Sequence, residues 1–365
     1  MNRSVYFIDN EVVQRVLTLE DCMEAIEDAY REWDAGRAAI RAKTNLYVYN
    51  VGEGEPMRYN FASMEGGVQK LGLFAIRMRS DLQPLVLDKS RATNPRFAGK
   101  EGEFCGLIFL FDTRTGLPVA ILNDGYLQHA RVAACAGIAA KYLARENLQT
   151  LCLLGSQWMA RTHALALCAV RPIRRIQVYS PTRIHREAFS REMAERLKIE
   201  VIPEDSPEEA VRGADIVACC TNSHRRAVLL GKWLEEGMYI CNVLGSELDD
   251  EALARIDYTV KNQPFRDLAQ AVSVAGVHPE GIEPPSEGKL WLKQATDKTP
   301  LLSEIIVGKA TGRTDDRQIT FFSNNEGTGI QFAAVGSAIL SKLERSGFAG
   351  VKNIPLEWFL QEIPD

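Results

Sequence analysis

The chain has 365 residues, of which 46% are hydrophobic and 25% charged, and its formal net charge is −5. That length and mixture predict a folded chain of two domains with real cores. The acidic balance and the lack of a basic run exclude a nucleic-acid binder, no apolar stretch approaches a membrane span, and MNRSVYFIDNEVV has no signal-peptide core, so a cytoplasmic protein is expected.

Residues 1–130 predict an α+β region. Leu19, Cys22, Met23, Ile26, Ala29, Tyr30 and Trp33 recur at helical spacing and predict an amphipathic helix that stops at Gly36. Short runs at 44–49, 58–62, 73–79, 106–111 and 118–123 predict strands of an antiparallel or mixed sheet. Asp112-Thr113-Arg114-Thr115-Gly116 has the polar, glycine-ending composition of a hairpin turn. Segment 128–145 is alanine-rich and predicts a long helix whose small residues permit close packing.

The apolar run 151–154 stops at Gly155, and a helical pattern starts within about five residues, the strand–turn–helix order of a Rossmann unit. Such a turn offers backbone N–H groups and a helix N-terminus to a diphosphate. Small residues are wanted at three places, which here read Gly155, Gln157 and Ala160; the middle glycine is missing. A plain βα turn without nucleotide is the alternative. The candidate cofactor contacts in this turn are Gly155, Ser156, Gln157, Trp158, Met159 and Ala160.

A second strand, 174–179, ends at Ser180-Pro181-Thr182-Arg183, where the adenine ribose lies in such folds. The tip has no acid for a ribose 2′-hydroxyl. It offers Ser180, Thr182 and Arg183, with His185 and Arg186 beyond, which suits a 2′-phosphate and favours NADP(H) over NAD(H). The alternative is that Arg183 and Arg186 form the solvated first turn of the next helix. Further strands are expected at 199–202, 214–221, 238–244 and 257–260, separated by helix-length segments as in a doubly wound parallel sheet. Cys220, Thr221, Asn222 and Gly245 close two of these runs as candidate cofactor contacts. Residues 275–300 read as an exposed loop, 319–322 as a strand and 329–346 as a helix returning to the first domain. Eight cysteines in apolar runs without C-x-x-C spacing predict reduced thiols, and five scattered histidines give no metal site.

Four blocks carry a wider resemblance: FDTRTGLPVAILNDGYLQHARVAACAGIAAKYLAREN, LLGSQWMARTHALAL, GADIVACCTNS and SEIIVGKATGRTDDRQITFF. In their order and spacing the chain resembles the ornithine cyclodeaminase/μ-crystallin family over nearly its whole length. The resemblance implies an α/β fold in which a Rossmann-type domain, 131–318, is inserted into a smaller α+β substrate-binding and dimerisation domain, 1–130 completed by 319–365. It also implies a homodimer and NAD(P) chemistry at a C–N bond beside a carboxylate.

Residue by residue, the resemblance exposes departures. The family's carboxylate-binding Arg-Thr matches Lys43-Thr44, with Arg41 nearby. The family's lysine on GLFAIRMRSD matches Arg77, with Arg79 next on the same strand face. In the block matching T-x-x-R-T-A-A, Arg131 is kept while Gln128 and Val132 replace the threonines. The family's aspartate after the fifth strand falls in a shortened GSELDD, where Glu247 replaces it or is only a downstream element. The S-x-G…D pattern becomes Ser323-Asn324-Asn325-Glu326-Gly327, with Phe332 at the aspartate and Ser323 as a cofactor contact.

Arginine is a fixed cation where lysine is a tunable acid or base. The set Arg41, Lys43, Arg77, Arg79 and Arg131, with Met64 in MRYNFASME beside it, suits a substrate with one or two carboxylates; a salt bridge or solvated strand edge is the alternative for Arg41 and Arg79. Three functions follow. One is an imine or ketimine reductase or amino-acid dehydrogenase, in which Lys43, Arg77 and Arg131 hold the carboxylate and Lys43 or Glu247 carries the proton. Another is a cyclodeaminase releasing ammonia from a basic amino acid, against which the missing lysine counts. The third is a non-catalytic NADPH-binding crystallin-like protein.

Overall fold

Two sheets of contrasting strand chemistry divide the chain. The computed structural model describes residues 4–50, 57–85, 95–264, 268–273, 298–324 and 327–361. The first sheet runs, edge to edge, Leu268–Ser273, Thr44–Asn50, Met57–Val68, Leu73–Pro84, Cys105–Asp112, Pro118–Asn123, Ser4–Ile8 and Lys352–Pro355. Its centre is antiparallel. Leu268–Ser273 joins Thr44–Asn50 in parallel, and Ser4–Ile8 joins Pro118–Asn123 in parallel, so the sheet is mixed. The turn expected at 112–116 closes a hairpin, Gly116 N–H donating to Asp112 O at 2.8 Å.

Alternation along Leu73–Pro84 puts Leu73, Ala75, Arg77, Arg79, Asp81 and Gln83 on one face and Phe74, Ile76 and Met78 on the other. Helices cover the first face: Gly329–Arg345 packs on the two central strands, Leu19–Asp34 packs on that helix and on Met57–Val68, and Asn10–Val16 packs on Pro118–Asn123. Thr18 and Asp21 cap Leu19–Asp34 reciprocally, a device worth about 1 kcal/mol. Gly329–Arg345 starts directly on the strand backbone. A Cβ at Gly329 would stand 1.9 Å from the Glu65 carbonyl carbon, so only glycine allows the approach.

The alanine-rich helix begins at Gly125, earlier than its composition indicates, and ends at Leu143. Two of its first N–H groups find outside acceptors: Asn123 Oδ1 takes Gly125 N–H at 2.8 Å and Asn10 Oδ1 takes Tyr126 N–H at 2.7 Å. This helix serves both layers. It packs on Leu19–Asp34 and on Trp158–Val170, with Gly137 close to Met23 and Ala166. A boundary at 130/131 therefore passes through one continuous element.

The second sheet is wholly parallel, in the order Glu200–Pro203, Arg175–Tyr179, Thr150–Leu154, Ile216–Cys219, Tyr239–Asn242, Thr320–Ser323 and Tyr258–Lys261. Its central strands are buried on both faces, as helices on both sides require. One boundary differs from expectation. The expected return to the first domain over 319–365 includes Thr320–Ser323, yet this strand pairs inside the parallel sheet, because four consecutive buried residues need cover on both sides. The chain returns to the first domain with Gly329–Arg345. Residues 274–297, most of the expected loop, lie outside the described residues. Among the described residues no helix is long and apolar enough to cross a membrane.

Candidate active site

The strand order reverses between Thr150–Leu154 and Ile216–Cys219, the switch point at which open α/β sheets bind ligands. Gly155 leaves the first of these strands with φ +123°, and a Cβ there would stand 2.3 Å from the Cys220 carbonyl oxygen. The turn is pinned on both sides, Gly155 N–H donating to Tyr179 O and Cys220 N–H to Leu154 O, each at 2.8 Å. Ser156 is buried and its hydroxyl donates to that of Ser180 at 2.9 Å. Arg161 donates to the Ser156 carbonyl at 2.5 Å and pairs with Glu192. The helix Trp158–Val170 has Gln157 as its N-cap without a side-chain hydrogen bond, so its first N–H groups are left for a ligand. Met159 is half-buried, Ala160 is fully buried, and exposed Trp158 sets its ring edge on Tyr126 at 6.4 Å. This cradle fits a dinucleotide diphosphate without the missing middle glycine.

The ribose end is tied differently from a pair of free cations. Arg183 is exposed and pairs with Glu187 at 2.6 Å, beside exposed Thr182. Arg186 folds inward, donating to Ser180 O at 3.0 Å and to Asp205 at 2.6 Å, so it braces the tip. Cys220 is buried, Thr221 half-buried and Asn222 exposed after Ile216–Cys219; Gly245 follows Tyr239–Asn242, and buried Ser323 ends its own strand. All sit at the C-terminal ends of parallel strands.

Across from these ends lies the cation set of the first domain. Arg77 is buried and donates through Nε and an Nη to one oxygen of Asp124, at 2.8 and 2.5 Å. Asp124 is fully buried and its other oxygen has no hydrogen-bond partner. Arg131 is 3% exposed, and its acceptors are amide oxygens: Gln128 Oε1 at 3.2 and 3.0 Å, and Gln331 Oε1 at 2.9 Å. Its guanidinium lies 5.2 Å over the Phe332 ring. Among the described residues no carboxylate forms an ion pair with it. Burial pushes its pKa down to about 10, which leaves it charged at neutral pH.

Met64 stands directly opposite Arg77 in the strand register. Lys43, half-buried, precedes the strand whose Thr44 faces Ser63, one step from Met64. Arg79 reaches Asp81 at 2.8 Å on the same face as Arg77. Arg41 is exposed and grips Glu65 with two hydrogen bonds of 2.9 and 2.7 Å, so the salt-bridge alternative holds for it in this chain.

Glu247 does not join the cation set. Its fully buried carboxylate accepts four hydrogen bonds, from Thr221 N–H and Oγ at 2.8 and 2.6 Å and from the Val243 and Leu244 N–H groups at 2.8 Å each. Both oxygens tie the loops after two strands together. Sequence reasoning missed Asp124, whose signal was present: an acid between the end of a strand, Pro118–Asn123, and a helix-opening glycine. It also missed the buried chain in which Gln331 donates to Tyr30 Oη at 2.6 Å, Tyr30 donates to Asn262 at 2.5 Å, and Asn262 to Asn324 at 3.0 Å.

Comparison with known proteins bears on the family and the fold. The model of the ornithine cyclodeaminase/mu-crystallin family matches residues 91–346. A protein described as an uncharacterized cyclodeaminase of Sinorhizobium fredii is 33% identical over 250 residues, covering 66% of this chain and 70% of its own. The Delta(1)-pyrroline-2-carboxylate reductase of a Bacillus cereus strain is 32% identical over 225 residues, covering 60% and 65%. In fold, the chain is similar to a dimeric archaeal alanine dehydrogenase with bound NAD, with a TM-score of 0.71, 23% identity, and 96% and 99% of the two chains covered.

Proposed function

Since the chain belongs to the ornithine cyclodeaminase/mu-crystallin family, we propose that it is a nicotinamide-dependent oxidoreductase acting on a C–N bond beside a carboxylate, of the imine-reductase or amino-acid-dehydrogenase type. The pyrroline-2-carboxylate reductase relative supports that reaction class. The observation that carries the reading is Arg131. A buried guanidinium with only amide acceptors is a net positive charge taken out of water, and such a charge requires an anionic partner. A substrate carboxylate supplies it. Arg77 is already neutralised by Asp124 and shapes the wall beside it. In place of the family's lysine it is a fixed cation, which weighs against cyclodeamination.

A bound nicotinamide supplies the hydride. The N–H groups of the Gly155–Ala160 turn hold its diphosphate, and Ser180, Thr182 and Arg183 meet its ribose. The same tip supports a preference for NADP(H): it carries hydroxyls and an exposed guanidinium, and no acid. Arg131 orients the substrate carboxylate, and Lys43, the remaining tunable group beside Met64, delivers the proton to nitrogen during reduction.

The face of the first sheet that no described helix covers supports a homodimer. Leu46, Phe61, Phe74, Ile76, Met78 and Phe109 lie on it, half-buried or exposed, opposite the face the helices cover. Mostly buried thiols without disulfides suit a reducing, cytoplasmic setting.

The test mixes the protein with NADPH or NADH, a panel of 2-oxo acids, and ammonia or methylamine. Cofactor oxidation that requires both acid and amine supports the reading. Ammonia release from ornithine without net cofactor change, or cofactor binding without turnover across the panel, overturns it.

A further inference from the structure

The sheet face that carries Arg77 continues past it. Strand residues two apart share a face and stand about 7 Å apart along the chain. Arg79 and Asp81 therefore follow Arg77 toward the open end, and the register sets Asn60 beside Asp81 and Arg58 beside Gln83. Arg58 donates to Gln83 at 2.5 Å and lies 4.6 Å over the Tyr47 ring. Phe97 pairs with Leu82, which brings Arg96 alongside the same strand. From the other domain, the loop after Ile216–Cys219 brings His224 to this group.

Cations outnumber carboxylates here. Among the described residues, Asp124 and Asp81 face Arg58, Arg77, Arg79 and Arg96, and Asp124 is consumed by Arg77. Asp81 is 2% exposed and takes a hydrogen bond from Gln83 at 3.1 Å, while its other oxygen sits 2.8 Å from Arg79 Nε without forming one. The Nε groups of Arg58 and Arg79 are buried and have no hydrogen-bond partner. Burial, with Arg96 next, pushes Arg79 down to about 10; burial, then Arg96, Arg79 and Arg225, push His224 down to about 4. Each shift is the response of a partly dried site to an excess of positive charge. Burying so many guanidiniums around one carboxylate is costly unless a further anion is bound.

We propose that Arg79, one strand step beyond Arg77, and Arg96, alongside the same strand, form a second anion subsite that takes a second carboxylate, so that the preferred substrate is a dicarboxylic 2-imino or 2-amino acid. The inference rests on the oxidoreductase reading, with Arg131 holding the first carboxylate, and it names the substrate class of that site.

The experiment is calorimetry of the whole protein with oxidised cofactor present. L-Glutamate is compared with L-norvaline, and L-aspartate with L-2-aminobutyrate, pairs of equal carbon count with and without the second acid. At least one diacid is expected to bind about tenfold or more tighter than its matched monoacid, the worth of a charged hydrogen bond. In Arg79→Gln and Arg96→Gln that ratio falls by about tenfold or more, and Arg79→Lys, which keeps the charge, retains part of it. Reading a ratio separates the subsite from a general loss of fold. A ratio near one in the unaltered protein, no binding of either diacid, a ratio untouched by both substitutions, or a loss confined to cofactor affinity overturns the proposal. Absent turnover with the ratio intact counts against the redox reading and leaves the subsite standing.

Discussion

Replacing Arg131 with glutamine tests the centre of the site. In the fold its guanidinium makes three hydrogen bonds of 2.9 to 3.2 Å, all to glutamine side chains that offer no charge. A bidentate contact with a substrate carboxylate adds two hydrogen bonds to a charged group, each worth about 1.5–3 kcal/mol. Arg131→Gln is therefore expected to lower kcat/KM by about 10²- to 10⁴-fold. Folding stability moves much less, by under about 2 kcal/mol, because the loss of contacts to Gln128 and Gln331 is offset by relief of a buried, unpaired charge. Arg131→Lys keeps the charge without the planar fork and falls between. Steady-state kinetics by nicotinamide absorbance, alongside thermal melting by circular dichroism, reads both quantities. If Arg131→Gln keeps kcat/KM within about threefold of the parent, or if its stability falls as steeply as its activity, the argument from an uncompensated cation fails.

Four further outcomes follow from the same geometry. Gly155→Ala puts a methyl 2.3 Å from the Cys220 carbonyl at a φ that alanine avoids, so cofactor affinity is expected to fall by about tenfold or more in a fluorescence titration; unchanged affinity would remove the turn from the cofactor site. Arg183→Glu should lower the NADPH-to-NADH specificity ratio by about tenfold, and an unchanged ratio would mean the exposed arginine is only a partner of Glu187. Ile76→Glu, on the open sheet face, should convert a dimer to monomer in sedimentation, whereas a dimer unmoved by the charge must use another surface. Burial lifts Glu247 from 4.5 to about 7 against its four hydrogen bonds, so the fold holds this proton after the unfolded chain has lost it. Its stability contribution is then full below about pH 4.5, declines as pH rises to about 7, and totals about 3 kcal/mol for a rise of 7 − 4.5 = 2.5. Urea unfolding across that window should show the decline relative to Glu247→Gln, and parallel curves for the two proteins would contradict it.

Much of the fold was readable because the two kinds of strand carry different patterns. TLCLL, IVAC and TFFS are unbroken apolar runs, which only a sheet covered on both faces can use, and they became the parallel sheet. LFAIRMRS alternates, and it became a strand with one covered face. The error at 319 arose because pattern gives a strand its sheet type but not its neighbours; Thr320–Ser323 crosses back between two strands that precede it in the chain. The glycine turn was legible without its middle glycine, since the residue that cannot change is Gly155, pressed on the Cys220 carbonyl. The roles of charged residues were less legible. Arg41 and Arg131 look alike in sequence, yet Glu65, across the neighbouring strand, neutralises one, while distant Gln331 leaves the other charged. Glu247 stands where the resemblance puts an aspartate after the fifth strand, and nothing local in the sequence shows that four donors converge on it.

The departures from the family pattern make chemical sense together. Where the pattern places an aspartate, this chain has Phe332, and its ring lies beneath the Arg131 guanidinium. An aspartate in reach of that guanidinium would neutralise it. A phenyl ring gives only the weaker attraction of a cation for a π face, about 0.5–2 kcal/mol, and leaves the charge to act on a ligand. The position of that charge is then fixed from both domains. Gln331 accepts from Arg131 and donates to Tyr30 of the first domain's helix; Tyr30 leads to Asn262 and Asn324 at the ends of the parallel strands, where Asn324 N–H meets Asn242. Each link is a directional hydrogen bond in a dry interior, where an unmade bond costs about 1–3 kcal/mol. A shift of one domain against the other would break several links at once, so the chain holds Arg131 in register with the C-terminal ends of the parallel strands. Arg77 in the lysine position fits the same logic, because a fixed cation closed by Asp124 adds shape to this face without adding a titrating group.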